Sequence, residues 1–268
     1  MQLFFKTIQK AVLSSTFILL NAMLMPNLVS ANNISVSTYR IYLDQDNSSA
    51  NFVVSNREFI KQKCKLDIAH YKFDETGNMS EYDENESILN AAEELFRFSP
   101  KSFDIDANEK QTVRFTLRRK SGTSAIEHRA YLVVNCRELV DEKQRLQIEN
   151  NLTNIPIRTS LQHNIPIIVR PRKLNASASF TNVALQNNIL SFDMLREGER
   201  SIYGKVRVLD INSNKIITES SNLVMYLETT KKSFHMAIPN TLSLNEIAIE
   251  FNELAVEGGD INVSWSNK

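Results

Sequence analysis

Residues Ile155–Arg170 read as one long, two-faced β-strand, and this stretch constrains the chain more than any other. The odd positions are Ile155, Ile157, Thr159, Leu161, His163, Ile165, Ile167 and Val169. The even positions are Pro156, Arg158, Ser160, Gln162, Asn164, Pro166, Ile168 and Arg170. Side chains alternate faces along a strand, so six large aliphatics share one side. At ~3.3 Å per residue the segment spans roughly 50 Å, against ~20 Å for a common strand. Its prolines cannot donate to a ladder, which puts it at a sheet edge. A long apolar edge is a template for pairing that proteins normally blunt or cover. Keeping one points to a strand supplied by something else.

The first 31 residues read as a leader outside the fold. Lys6 and Lys10 form a positive start, an apolar run follows from Ala11, and Val29-Ser30-Ala31 has the small residues of a cleavage site. Asn21, Pro26 and Asn27 interrupt the run, which argues against a spanning helix. No later segment approaches the ~20 apolar residues that cross a bilayer, so no membrane insertion is expected after leader removal. Without the two leader lysines, 29 basic residues face 31 acidic ones, a net charge of −2. That balance provides no electrostatic case for nucleic acid. Only six glycines occur, with no glycine-rich phosphate loop, and no cofactor is expected. The two cysteines, Cys64 and Cys136, are an even pair in an exported chain and are expected to form a disulfide.

From Ile34 onward, short apolar or alternating runs recur between turn residues. Strands are predicted at Ile34–Leu43, Ser49–Ser55, Cys64–Phe73, Leu95–Ile105, Thr112–Arg118, Arg129–Cys136 and Ile155–Val169. This is the spacing of an immunoglobulin-like sandwich. Pro171-Arg172-Lys173 marks a boundary. Beyond it, strands are predicted at Ala176–Leu185, Ile189–Met194, Ile202–Asp210, Lys215–Ser220, Leu223–Glu228, Ser233–Ile238, Glu246–Phe251 and Ile261–Trp265. The expected class is all-β: a leader over 1–31, an N-terminal immunoglobulin-like domain over 32–171 and a C-terminal β-sandwich over 172–268. Two polar connections stand out, Asp74–Glu94 with eight acidic residues and no basic ones, and Arg137–Asn154.

Ser99–Arg114 fits, without a gap, the pattern S-P-x-x-F-x-L-x-P-G-x-x-Q-x-V-R, and in this it resembles the PapD-like periplasmic chaperones of pilus assembly. His128–Glu138 resembles the family's penultimate strand, which ends in N-x-R-E, and Ile167–Pro171 resembles the hydrophobic-R-P that closes its first domain. Glu127–Leu132 is also similar to the E-x-R-x-H-L of the non-classical ("archaic") branch. The resemblance implies a periplasmic chaperone that stabilises pilus or fimbrial subunits by donor-strand complementation and delivers them to an outer-membrane usher. Ile155, Ile157, Thr159 and Leu161 fall where the family's donor residues fall, while Ile165 and Val169 are expected to pack in the chaperone's own core. It also implies that Arg40 anchors a subunit's terminal carboxylate, that Arg170 acts between domains, and that Cys64 and Cys136 lie on neighbouring antiparallel strands.

The chain departs from this pattern in three places. The family's proline-glycine turn is Ala107-Asn108 here, and asparagine tolerates the left-handed backbone such a turn needs. The second anchoring cation, a lysine in the family, falls on Pro166, leaving Arg129, Lys173 or a different arrangement to serve. The acidic partner of the interdomain arginine falls on Arg129, with Glu127 two residues earlier.

An enzyme is not expected. His70, His128, His163 and His235 sit in different strands without metal-ligand spacing, and no paired acid–base constellation is recognisable. The competing reading is a secreted adhesion or receptor module of two immunoglobulin-like domains, which seven N-x-S/T sequons would suit. A pilus subunit is a further alternative, but two domains and an internal donor segment argue against it.

Overall fold

A computed structural model describes residues 34–74, 78–83, 86–88, 90–118, 120, 122–139, 161–255 and 258–267, with Leu161 described in its backbone only. The leader expected over residues 1–31 therefore lies outside the described residues, as do Ile155, Ile157 and Thr159. No helix among the described residues is long and apolar enough to cross a membrane.

The described residues up to Val169 form eleven strands: β1 (Ile34–Val36), β2 (Ile41–Leu43), β3 (Ser49–Asn56), β4 (Gln62–Ala69), β5 (Tyr71–Phe73), β6 (Met79–Glu81), β7 (Phe96–Ser99), β8 (Ser102–Ile105), β9 (Lys110–Leu117), β10 (His128–Glu138) and β11 (Leu161–Val169). One sheet has the order β1-β3-β9-β7 and the facing sheet β2-β11-β10-β4-β8. This is the division of strands that defines the immunoglobulin sandwich. The core between the sheets is aromatic and aliphatic: Phe52, Phe115, Leu66, Leu132, Ile165 and Ile167 are fully buried. Each such side chain contributes about 1.5–3 kcal/mol through its removal from water.

Three predicted strands are corrected, the first being Cys64–Phe73, which divides into β4 and β5 in different sheets. Ile34–Leu43 is two strands in different sheets, because side chains compete with the ladder between them. Ser37 Oγ accepts from Val53 N at 3.0 Å, and Thr38 Oγ1 both accepts from Arg40 N and donates to Arg40 O. Leu95–Ile105 likewise divides into β7 and β8 on opposite sheets, with a cis Ser99–Pro100 bond between them. The turn that follows survives its changed sequence, since Asn108 takes φ of 61°.

The second sandwich consists of β12 (Ala176–Gln186), β13 (Ile189–Gly198), β14 (Ile202–Asp210), β15 (Lys215–Met225), β16 (Lys231–Ala237), β17 (Ile247–Glu253) and β18 (Asn262–Ser266). Its sheets are β12-β13-β16 and β15-β14-β17-β18, enclosing a separate core around Leu190, Phe192, Met194, Val206, Ile249 and Phe251. Lys215–Ser220 and Leu223–Glu228, predicted as two strands, are one. The Ser221-Asn222 pair reads as a turn, but the strand absorbs it as a bulge with Asn222 at φ 58° and ends at Met225.

Cys64 and Cys136 stand directly opposite each other on β4 and β10 and are disulfide-bonded. The bridge closes a loop across a sequence separation of 72 residues. Chain-entropy reasoning gives about 4 kcal/mol for such a closure, and native bridges typically contribute about 2–5 kcal/mol. Replacing both cysteines with alanine is expected to lower unfolding free energy by that amount in a urea titration, with the first sandwich losing structure ahead of the second.

Candidate functional site

The alternation of β11 assigns its two faces to two different tasks. Ile165, Ile167 and Val169 enter the core of the first sandwich. Pro166, Ile168 and Arg170 belong to the opposite face, where Tyr42 and Arg129 flank Ile168, and Tyr131 stands opposite Pro166. This face looks onto the second sandwich, and the cleft between the two is built around three arginines.

Arg170 follows β11 directly and is buried. Its Nε donates to Glu127 Oε2 at 2.9 Å, and both side chains of this ion pair are almost wholly removed from solvent. The remaining donors reach Tyr42 Oη at 3.4 Å and, in the second sandwich, the carbonyls of Gly258 at 3.1 Å and Ser201 at 3.3 Å. Burial opposes the charge on Arg170, and Glu127 with Tyr42 outweighs it, so its pKa is raised. Gly258 sits in the left-handed region at φ 66°, and an added Cβ would meet both Tyr42 and Arg170, so this turn requires glycine. The acidic partner that the sequence pattern placed on Arg129 is Glu127.

Arg129 is buried within an aromatic box. Its guanidinium lies 3.9 Å from the centroid of Tyr226 and 5.7 Å from both Phe73 and Tyr131. It pairs with Glu228 of the second sandwich through both of its terminal nitrogens and donates to Tyr71 O at 3.0 Å. Burial again opposes the charge, while Tyr131 and Glu228 raise the pKa. Arg40, at the point where the chain crosses between sheets, stacks over Tyr203 at 4.4 Å and reaches Tyr226 Oη at 3.5 Å. Tyr226 thus lies against both cations. Cation–π contacts of this kind are worth about 0.5–2 kcal/mol each, and more where water is excluded.

The structure brings Arg40, Arg129 and Arg170 to one cleft, whereas Lys173 is exposed where the chain leaves the first sandwich. Sequence reasoning did not find Tyr203, Tyr226, Glu228 or Gly258, because each belongs to the second sandwich and meets the first only across the cleft. The stretch read in the sequence as a donor segment runs directly into β11. Leu161 stands opposite Cys136 at the start of the ladder with β10, but β2 pairs with β11 only over Ile167–Val169. From Gln162 to Pro166 the outer edge of β11 therefore pairs with no strand among the described residues.

No family model matches the chain, and no curated protein matches it in sequence. Solved structures that it resembles include the Pseudomonas aeruginosa CupB2 chaperone, at 11% identity and TM-score 0.49, covering 87% of this chain and 99% of that one. Another is the class 5 fimbriae chaperone CfaA, at 15% identity and TM-score 0.49, with coverage of 88% and 99%. A third is the Salmonella enterica SafA pilin in complex with the SafB chaperone, at 12% identity and TM-score 0.48, with coverage of 89% and 98%. With identities this low and TM-scores below 0.5, the functional reading rests on the residues of the cleft and the edge.

Tyr42 offers a test of the cleft's burial. Burial, the largest influence, pushes its hydroxyl from 10.0 up to about 12, with Arg170 pulling the other way. Between those values the folded protein keeps a proton that the unfolded chain has lost, so stability is expected to fall as pH rises through the window. Denaturant titrations across this range are expected to show a smaller fall for Tyr42→Phe than for the wild type.

Proposed function

We propose that the chain is a periplasmic chaperone of pilus assembly, which binds fimbrial subunits by donor-strand complementation and passes them to an outer-membrane usher. The observation that carries this reading is the outer edge of β11 ahead of Ile167, which pairs with no strand among the described residues and is continuous in sequence with the alternation that begins at Ile155. In this reading, residues 1–31 are the export signal, 32–171 the subunit-binding domain and 172–268 the second sandwich.

The chemistry follows from an incomplete client sandwich that lacks its last strand. The backbone of residues 155–161 supplies the missing ladder, and Ile155, Ile157, Thr159 and Leu161 fill the client's apolar groove. Three buried aliphatics contribute on the order of 5–9 kcal/mol before ordering costs, enough for capture and little enough for exchange. Downstream, Ile165, Ile167 and Val169 belong to the core, so the lent strand is rooted in a rigid sheet. Arg40 serves as the carboxylate anchor at the cleft, through charge-assisted hydrogen bonds that set the register of the added strand. Arg129 holds Glu228 beside the same Tyr226 ring that Arg40 lies against.

Co-expression with a candidate pilus subunit provides the test. Ile157→Ser with Leu161→Ser is expected to lower co-purified subunit by on the order of a hundredfold, with unfolding of the chaperone itself unchanged. Wild-type recovery by the folded double variant sinks the donor-strand reading. Unchanged recovery by Arg40→Ala removes the anchor assignment alone.

A further inference from the structure

Arg196 is buried on the inward phase of β13, in line with Leu190, Phe192 and Met194, yet its head group meets no carboxylate within hydrogen-bonding reach among the described residues. Four backbone carbonyls receive it instead. Its Nε donates to Thr229 O at 3.2 Å and Nη2 to Leu227 O at 3.0 Å, while Nη1 donates to Gly198 O and Arg200 O, both at 3.1 Å. Burial lowers its pKa, and Glu127 and Glu228 act against that shift. A buried cation without an ion-pair partner is expensive, and only a planar fork of five donors can gather carbonyls from two separate chain segments in this way.

The two segments so gathered are the β13–β14 and β15–β16 connections, and both contact the first sandwich. In the first, Glu199 O accepts from Glu127 N at 2.8 Å and Ser201 O accepts from Arg170. In the second, Tyr226 lies against Arg40 and Arg129, and Glu228 pairs with Arg129. Leu227 and Thr229, whose carbonyls Arg196 holds, are the residues on either side of Glu228. Outside these two connections, Gly258 O accepts from Arg170 and Tyr203 of β14 lies under Arg40.

We propose that Arg196 is a positioning residue that sets the angle between the two sandwiches, and through it the placement of Tyr226 and Glu228 against Arg40 and Arg129. It touches neither the cleft cations nor the donor edge. Its effect passes through the two connections that it binds together. The consequence for client capture rests on the chaperone reading, whereas the orientation of the domains does not.

The test compares the full mature chain with Arg196→Met, which keeps an unbranched apolar stem and removes every donor. Residual dipolar couplings in a weakly aligned sample report the orientation of each sandwich. In the wild type one alignment tensor is expected to fit both. In Arg196→Met each sandwich should retain internally consistent couplings, but those of one should shrink relative to the other, so that a shared tensor fails. Loss of packing alone would lower thermal stability without separating the tensors. A folded Arg196→Met with a single shared tensor at the wild-type angle overturns the assignment. Should Arg196→Met not fold, Arg196→Lys decides, because a single ammonium cannot span carbonyls from both connections. Separate tensors for that variant support the proposal, and one wild-type tensor refutes it. The couplings contain no client, so a failure of the chaperone reading leaves this result standing.

Discussion

The buried pair of Arg170 and Glu127 is the constraint around which the cleft is organised. A guanidinium withdrawn from water needs its charge balanced and its donors met, and no single element of this chain provides both. Glu127 supplies the charge from the approach to β10, Tyr42 a hydroxyl from β2, and the second sandwich two carbonyls. Removing one partner of such a pair typically costs about 3–5 kcal/mol, since the other is left charged and buried. Because Arg170 directly follows β11, satisfying it also fixes which way that strand faces. Odd positions must enter the core for the even ones to reach the cleft.

The same economy of local bonds opens the edge. Had Ile34–Leu43 remained one strand, it would have continued beside a single sheet. Ser37 and Thr38 instead bond to nearby backbone and turn the chain across, leaving only three residues of β2 to pair with β11. The crossing also delivers Arg40 to the cleft, stacked on Tyr203. Edge and cation are thus consequences of one short polar turn.

Much of this was legible in the sequence. Ile165 and Val169 lie in the core as expected, joined there by Ile167, and Asn108 took the left-handed backbone expected of it. The paired cysteines met as neighbours on antiparallel strands. Misreadings arose where polar residues serve two purposes. Ser221-Asn222 has turn composition but forms a bulge, since the ladder on either side outweighs local preference. Arg196 continues the inward alternation of β13, a signal that was present but masked by its charge.

By itself the sequence determined the all-β class, the inward and outward faces of the strands, and the long apolar alternation from Ile155 to Val169, because these depend on a period of two along the chain. Only the tertiary structure decided that Glu127 rather than residue 129 balances Arg170, that Arg129 is held by Glu228, and that Tyr226 lies against two cations. Those pairings join residues separated by 43 to 186 positions. No local pattern encodes them, since they exist only once two independently packed sandwiches bring their ends together and bury the charges between them.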